Sequence, residues 1–497
     1  MHVSPSSITG PFGSGAGRWR AAQRLCIWRW AARAAARCAL TFCALTLGEA
    51  AALRAAGPLA IDPTNPHYLT AGGRPTLLVT SGEHYGAVLN AEFDFVFYLG
   101  ELHKHGLNLT RTFSGAYREI PGSFGIEHNT LAPEREKFIC PFARTDKPGA
   151  ADGGLKFDLT RYNPAYFQRL HAFLTEAKKQ GIYVELSLFC AIYDDNLWKV
   201  NPLNPANIVN EVEPVGRQDL YTLKHPRHLA LQEAFVRQIA RELKDDENVY
   251  FEICNEPYWG SATAEWNARI AAALADAEKD FPHRHLLAQN IANGSQRVKD
   301  PSPRVSIFNF HYATPPNCLA ENVELKRPLA DDETGFKGTG DLPYRIEAWD
   351  FLIAGGVIFS HLDYSFTPQH PDGSYRPQKS PGGGGAAFRD QMQILRQFVE
   401  SFDFVKMKPD DQVIKGGIPN KGSARALVEP GAQYAIYVHG GSQTTLVLDL
   451  PAGDYQAYWL HPGSGKKTSI ERLHHPGGPL SMKSPEYQDD LALAIRK

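Results

Sequence analysis

This chain of 497 residues lacks the sequence features that mark several classes of protein. The cysteines beyond its N-terminal region form no Cys-x-x-Cys pair and no cluster with histidine, so the spacing of a structural zinc site is absent. No Gly-x-Gly-x-x-Gly follows the first predicted strand, and the usual signature of a dinucleotide-binding sheet is therefore missing. Lysine and arginine together number 52 against 54 acidic residues, whereas a nucleic-acid binder is expected to carry a basic face. We expect no nucleic-acid partner.

The chain also lacks an apolar run long enough to span a membrane comfortably. Its first 57 residues hold seven arginines, no lysine and a short apolar run at residues 38–47, which is followed by small residues. A positive region, a short apolar region and small residues in this order are typical of a secretory signal peptide. The sequence therefore predicts a secreted or periplasmic protein with no membrane partner in its mature form. A disordered extension from an upstream start codon is the alternative.

Removal of this leader makes the chain more acidic and takes away three of its seven cysteines. The remaining 45 basic and 53 acidic residues give a net charge of −8. We expect the other four cysteines to be buried thiols, although an oxidising compartment would also permit a disulfide between two of them. These four residues are Cys140, Cys190, Cys254 and Cys318.

From about residue 76 the sequence alternates apolar, strand-like runs with amphipathic, helix-like segments. Strands that alternate with helices predict a parallel sheet, and eight such units close into a (β/α)8 TIM barrel. A doubly wound open sheet is the structural alternative. The predicted strands are residues 76–81, 107–113, 183–189, 249–254, 285–291, 305–312, 328–333 and 356–361. The predicted helices are residues 93–105, 164–180, 227–244, 262–280, 342–354 and 387–402.

Around residue 405 the pattern changes to short strand-like runs. Turn signals such as Pro430-Gly431 separate these runs, and together they predict a small all-β sandwich. We therefore divide the chain into a leader at residues 1–57, a barrel at residues 58–405 and a C-terminal β-sandwich at residues 406–497. The sequence gives no indication of the oligomeric state.

Two of the predicted barrel strands end in carboxylates. The fourth strand runs directly into Asn255-Glu256-Pro257, and the seventh ends in Asp331-Asp332-Glu333. An unpaired carboxylate is costly to bury, whereas the C-terminal rim of a barrel strand is where catalytic groups lie. Strand alternation predicts that Asp331 and Glu333 share one face and that Asp332 lies on the other. Three acids buried together should raise the pKa of some of them.

Glu256 and Glu333 are the candidates for a pair of catalytic carboxyls. A retaining glycosidase needs one carboxyl to protonate the leaving oxygen and another to attack the anomeric carbon, about 5–5.5 Å away. We expect Glu256 to be the proton donor, with a pKa raised by its surroundings, and Glu333 to be the ionised nucleophile. Such double displacement of a β-linked carbohydrate substrate requires no cofactor and no metal.

This arrangement resembles the clan A glycoside hydrolases, especially the cellulase-like glycoside hydrolase family 5. The resemblance rests on Asn255-Glu256-Pro257, on Glu333, on Arg111 at the end of strand two and on His311-Tyr312 at the end of strand six. It covers about residues 58–405 and implies that Glu256 is the acid/base and Glu333 the nucleophile.

The same resemblance implies roles for the supporting residues. Asn255 is implied to bind the 2-hydroxyl of the sugar, and Arg111 is implied to support the nucleophile. His311 and Tyr312 are implied to contact the acceptor side or the nucleophile.

Strand eight departs from the pattern of this family. Many such enzymes end this strand in a tryptophan that lies beneath the sugar, but here the segment reads Leu362-Asp363-Tyr364-Ser365-Phe366. Tyr364 or Phe366 could substitute, and we include Asp363 and Tyr364 among the candidate substrate contacts. The segment resembles family-5-like secreted bacterial proteins that carry a C-terminal β domain of the collagen-binding type, which residues 434–438 and 450–453 also match.

Loops at the predicted rim supply further candidates. His84 follows strand one, where a structural role and a substrate contact are both open. Trp259 follows the Glu256 loop, and its ring could stack on the apolar face of a sugar, with core packing as the alternative. The long loops at residues 114–157 and 190–224 are expected to enclose the site, which would favour short substrates or chain ends.

Two other functions fit parts of the sequence. One is a non-catalytic carbohydrate-binding barrel that uses the same groove. The other is a metal-dependent barrel hydrolase that uses Asp331, Asp332 and His311, although the chain lacks the His-x-His or multi-histidine set typical of such sites.

Overall fold

The computed structural model of the protein describes residues 57–260 and 262–497. The predicted leader at residues 1–57 lies almost entirely outside these residues. Across the described chain, every helix is too short or too polar to cross a bilayer. Cys140, Cys190, Cys254 and Cys318 are all buried, and all four are free thiols.

Eight parallel strands form the predicted barrel. The order of pairing follows the chain from the second strand to the eighth, and the eighth pairs with the first. All eight strands lie where the sequence predicts them, with ends displaced by no more than two residues. The strands are β1 (Leu78–Gly82), β2 (Leu109–Phe113), β3 (Tyr183–Cys190), β4 (Val249–Asn255), β5 (Leu287–Asn293), β6 (Ile307–His311), β7 (Leu329–Thr334) and β8 (Ile358–Leu362).

The junction between β1 and β2 is held by a side chain. Asn108 accepts a hydrogen bond from the backbone N–H of Val79 (3.0 Å) and donates one to the carbonyl of Leu77 (2.8 Å). Its own backbone N–H donates to the carbonyl of Val79. One buried amide therefore replaces ladder bonds at the start of these two strands.

Helices cover the outside of the barrel. Asp94 caps the first helix through its side chain, and prolines occupy the first turns of the second and third, where the missing N–H costs nothing. The long helices are α1 (Phe95–Lys104), α2 (Pro164–Lys179), α3 (Pro226–Glu242), α4 (Ala264–Ala277), α5 (Leu342–Ile353) and α6 (Ala386–Glu400). Two short helices, Asp195–Val200 and Asn317–Glu321, follow β3 and β6.

The sequence did not predict several small sheets. Three short strands precede the barrel, at Leu59–Ile61, Leu69–Ala71 and Arg74–Thr76. The long loop after β2 contains an antiparallel hairpin of Phe142–Pro148 and Leu155–Tyr162. This hairpin gives the loop its own hydrogen-bonded framework above the rim.

The C-terminal region forms two antiparallel sheets that share an apolar core, as predicted for a sandwich. The larger sheet consists of Lys408–Pro409, Ser423–Glu429, Gln433–His439, Asp490–Arg496, Gly453–Leu460 and Glu471–His475 in spatial order. The smaller sheet consists of Ile414–Gly416, Thr445–Leu450 and Gly478–Lys483.

The larger sheet of the sandwich packs on α5 of the barrel. The ring of Tyr437 stacks on Trp349 with 5.1 Å between centroids, and Arg345 forms a two-pronged ion pair with Asp490 at 2.8 and 2.9 Å. Because α5 follows β7, the sandwich supports the helix next in the chain after Glu333.

Candidate active site

The C-terminal ends of the barrel strands surround a cavity of about 610 Å³. Six of the residues predicted from the sequence line it: His84, Asn255, Glu256, Trp259, Tyr312 and Glu333. Arg111 and His311 lie immediately beneath these residues and are fully buried. A cavity of this size suits a ligand of a few sugar rings at most.

Glu256 enters the cavity through a tight turn. β4 ends at Asn255, and Glu256 takes a left-handed conformation with φ +46° ahead of Pro257. Its carboxylate accepts hydrogen bonds from the Tyr193 hydroxyl (2.6 Å) and from Nδ1 of His311 (3.2 Å). A strained backbone at a functional group indicates that the surrounding structure fixes its direction.

Glu333 lies near the end of β7 and accepts three hydrogen bonds. The donors are Nη1 of Arg111 (3.0 Å), the hydroxyl of Tyr85 (3.0 Å) and the hydroxyl of Tyr312 (2.8 Å). A guanidinium and two hydroxyls therefore donate to one carboxyl and fix its position in the cavity.

The two carboxyls are close together, with His311 between them. One oxygen of Glu256, one oxygen of Glu333 and a ring nitrogen of His311 all lie within 4.8 Å of one another. The other ring nitrogen of His311 lies 3.4 Å from Asp332. Burial alone would lower the pKa of His311, but Glu333, Asp332 and Glu256 more than offset this and raise it well above its ordinary value.

The expectation of a raised pKa for Glu256 is wrong. Burial does raise it, but the hydrogen bond and charge of His311, with a further hydrogen bond from Tyr193, outweigh burial and lower the pKa of Glu256. The sequence could not show this, because His311 and Tyr193 arrive from β6 and from the loop after β3.

Arg111 connects the buried side chains beneath the cavity, which we call the floor of the site. Its guanidinium pairs with Glu252 at 2.5 Å in addition to Glu333 and donates to the amide oxygen of Asn255 at 2.7 Å. Glu185 and Asp332 lie at 3.7 and 3.9 Å from the same side chain. One buried cation thus fixes the position of the expected nucleophile and of the amide beside the expected acid.

The three consecutive acids do not alternate as predicted. Two residues of β7, Asp331 and Glu333, pair with the successive residues Phe310 and His311 of β6, so the strand bulges at Asp332. Asp332 and Glu333 consequently both face Arg111 and His311, and burial together with Glu347 raises the pKa of Asp331 well above its usual range. Against the effect of burial, Arg111 and His311 lower the pKa of Asp332 to about 2.

Asn255 lines the cavity, and both its amide oxygen and its amide nitrogen form hydrogen bonds. Its oxygen accepts from Arg111, and its nitrogen donates to the Tyr193 hydroxyl at 2.9 Å. Tyr193 in turn donates to Glu256. The amide therefore sits between the floor of the site and the carboxyl that follows it in the chain.

The structure does not bring Asp363 and Tyr364 to the cavity surface, and their inclusion as substrate contacts needs correction. Asp363 is fully buried and forms an ion pair with Arg389 at 2.7 Å, so its carboxylate is committed to packing α6 against the barrel. Tyr364 is buried behind His84 and Phe336, with ring centroids 5.9 and 6.3 Å away. Exposed aromatic surface at the mouth comes instead from Trp259 (59% exposed) and Phe336 (42%).

Several residues of the site were missed from the sequence. Tyr85 binds Glu333 and Tyr193 binds Glu256, and both follow barrel strands directly, which was the signal available for them. Glu119 lies 3.4 Å from Nε2 of His84 in the loop after β2, where sequence spacing gave no indication of it. The remaining lining residues not predicted are Phe113, Phe124, Leu131, Cys190, Asn293, Phe336 and Lys337.

Comparison with known proteins links this site to a family. Residues 147–312 match the family Cellulase (glycosyl hydrolase family 5), a segment that includes Glu256 and His311 and ends before Glu333. No curated protein sequence matches the chain.

The chain is also similar to solved structures. One, described as a glycoside hydrolase, superposes with a TM-score of 0.60 at 15% identity over 89% of this chain and 97% of that chain. Another, a glycoside hydrolase family 5 protein from Bacteroides vulgatus, gives a TM-score of 0.58 at 16% identity over 89% and 94% of the two chains. Residues 58–405 make up less than the 89% of the chain that each superposition covers. The similarity of fold therefore extends beyond the barrel.

The fold, the matched segment and the predicted resemblance thus agree. At such low identities the solved structures establish the fold, and the family match is confined to residues 147–312. Residues 147–312 of the TIM barrel match the Cellulase family, an all-β domain follows the barrel, and the chain is an O-glycoside hydrolase.

Proposed function

We propose that the protein is a retaining hydrolase of β-linked carbohydrates that works by double displacement. The observation that carries this proposal is the distance between the two carboxyls, since oxygens of Glu256 and Glu333 lie within 4.8 Å. Retaining enzymes place these groups about 5–5.5 Å apart, whereas inverting enzymes leave about 6.5–9.5 Å for a water molecule. The spacing of the pair here favours the retaining class.

The two steps follow from the positions of the carboxyls. Glu333 attacks the anomeric carbon while the bond from this carbon to the leaving oxygen breaks, and that oxygen takes a proton from Glu256. Water then attacks the same carbon, Glu256 accepts a proton from the water, and the ester bond to Glu333 breaks. One water is consumed, and both carboxyls return to their starting states.

His311 provides a second position for the proton that Glu256 must donate. The raised pKa of His311 and the lowered pKa of Glu256 put the proton on His311 and leave Glu256 ionised. Because Nδ1 of His311 is 3.2 Å from Glu256, the proton can pass between them once a sugar oxygen arrives. Activity should therefore require one proton on this pair and an ionised Glu333, which gives a bell-shaped pH profile.

A panel of aryl α- and β-glycosides tests this function directly. We expect turnover of at least one β-glycoside, with the β-anomer of the sugar appearing first in proton NMR spectra. First appearance of the α-anomer would contradict double displacement, and failure on every β-glycoside would favour a non-catalytic binding protein.

The same assay, run with and without EDTA, tests the metal-dependent alternative. Ligand atoms of Glu252, His311 and Asp332 lie within 4.8 Å of one another, which is compatible with a metal ion. Arg111 and Asn309 already donate to Glu252, so we expect these residues to act as a salt-bridge network and the rate to be unchanged by the chelator. Loss of activity that added metal restores would instead support the metal-dependent hydrolase.

Replacement of Glu256 by glutamine should affect substrates according to their leaving groups. For a leaving group that needs protonation we expect kcat/KM to fall by about 10²–10⁴-fold, while a dinitrophenyl glycoside should lose far less. With the dinitrophenyl glycoside, breakdown of the intermediate becomes slow, and azide should restore turnover because it attacks without giving up a proton. Equal losses on both substrates would contradict the assigned role, and Glu211→Gln, an exposed change in the loop after β3, is the matched control.

We also propose that the protein acts outside the cytoplasm. The support for this is the arginine-rich, then apolar, then small-residue order of residues 1–57.

A further inference from the structure

Contacts between loops join the rim next to one side of the active-site cavity. The loop after β2 folds back over the exit of β1, where the Thr130 hydroxyl donates to Glu83 (2.5 Å) and lies 2.9 Å from the carbonyl of His84. The amide of Asn90 donates to the carbonyl of Thr130 at 3.1 Å. These hydrogen bonds therefore attach the loop to the rim of the barrel.

The same loop continues to the loop after β8. The Glu127 carboxylate accepts from the backbone N–H groups of Gln378 (2.7 Å) and Lys379 (2.9 Å), and the N–H of Glu127 donates to the Ser380 hydroxyl (2.9 Å). The rings of His128 and Tyr375 meet edge to face at 4.9 Å. We call these contacts of Glu127 and His128 with residues 375–380 the end wall.

The loop after β8 extends this closure towards β7. The N–H of Gly338 donates to the carbonyl of Pro381 at 3.0 Å, and Gly338 pairs with Gly382 as an isolated bridge. A Cβ on Gly383 would lie 2.4 Å from the carbonyl oxygen of Thr339, so only glycine allows these two loops to pack this closely. Hydrogen bonds thus connect the loops after β2, β8 and β7 in sequence.

The chemistry fixes which side of the cavity is closed. Glu256 gives its proton to the oxygen that leaves, so the leaving group lies on the side of the β4 loop, where Trp259 is 59% exposed. The sugar attacked by Glu333 therefore extends the other way, towards His84 and Glu119. Both side chains line the cavity, and Glu119 accepts a hydrogen bond from the amide of Asn129, the residue that follows His128 of the end wall.

We infer that the enzyme acts on chain ends and removes one terminal sugar at a time. The non-reducing terminal sugar lies against His84 and Glu119, and the end wall blocks any further sugar beyond it. His84 and Glu119 make this end polar, and such groups suit the hydroxyls of a terminal sugar. The remainder of the chain leaves across Trp259. This inference rests on the proposed hydrolysis and specifies where along a chain it occurs.

Aryl β-disaccharides test the inference separately from the proposed function. With the disaccharide of whichever sugar is accepted as an aryl β-monoglycoside, the first products should be the free monosaccharide and the aryl monoglycoside. Release of the intact disaccharide as the first product would overturn chain-end action while leaving hydrolysis established. Absence of turnover on every monoglycoside and disaccharide would overturn the proposed function, and this inference with it.

Opening the end wall should change the products. Glu127→Ala removes the acceptor of two backbone hydrogen bonds, and we expect the share of intact disaccharide among first products to rise by at least about tenfold. Ser380→Ala removes the hydroxyl that accepts from the backbone N–H of Glu127, and the share of intact disaccharide should rise by a smaller factor. Glu134→Ala, an exposed change in the same loop, should leave the products unaltered. Unchanged products in both wall variants would overturn the assignment of the blockade to these contacts.

Discussion

Replacement of Glu333 by glutamine should lower kcat on aryl β-glycosides by roughly 10⁴-fold or more, because the amide cannot form the ester intermediate. The side chain keeps its size and one oxygen, so the hydroxyls of Tyr85 and Tyr312 retain a partner. We therefore expect thermal unfolding to change little while turnover is lost. The measurement is the initial rate of aryl release at saturating substrate, with the melting temperature of each protein recorded beside it.

Glu324→Gln is the matched control for this substitution. Glu324 lies on the surface ahead of β7, so its loss should leave kcat unchanged. A 2-deoxy-2-fluoro glycoside provides a second measurement, since it should trap the wild-type intermediate as an ester on Glu333 that mass spectrometry can locate. An ester on another residue, or a Glu333→Gln protein with near-normal turnover, would contradict the assignment of the nucleophile.

The barrel could be predicted from the sequence because its strands are buried on both faces. Each strand is a short, nearly continuous apolar run bounded by polar or turn residues, and this pattern does not depend on distant parts of the chain. The position of Glu256 could be predicted for a related reason. A carboxylate after such a run must face the rim, since no place in the interior would accept it unpaired.

The geometry within the site depends on contacts that sequence spacing does not record. A bulge at Asp332 turned it inward beside Glu333, although simple alternation predicted the opposite face. The burial of Asp363 results from Arg389, which lies on α6, 26 residues later in the chain. In the same way, the end wall joins Glu127 to Gln378 across 251 residues, and such a distance leaves no local pattern.

Replacement of Arg111 by methionine should destabilise the protein strongly, because it leaves several buried carboxylates without their cation. Glu252 and Glu333 lose direct partners at 2.5 and 3.0 Å, and Asp332 loses a charge at 3.9 Å. Breaking a buried ion pair on one side typically costs about 3–5 kcal/mol, which for a chain of this length corresponds to a fall in melting temperature of roughly 3–5 °C. Arg111→Lys keeps the charge but not the planar fork, so it should recover part of the stability and little of the activity.

The pH dependence of this loss distinguishes an unpaired charge from a simple packing defect. In the wild type the pKa of Asp332 is lowered to about 2, so its contribution to stability is present above its ordinary pKa and is lost as pH falls towards about 2. Without Arg111 the buried carboxylates should take up protons at higher pH, and protonation removes the unpaired charges. Differential scanning calorimetry should therefore show the gap between wild type and Arg111→Met narrowing from about pH 7 to about pH 4.5. A gap that stays constant would point to lost packing instead, and Arg304→Met, an exposed change, should show no gap at either pH.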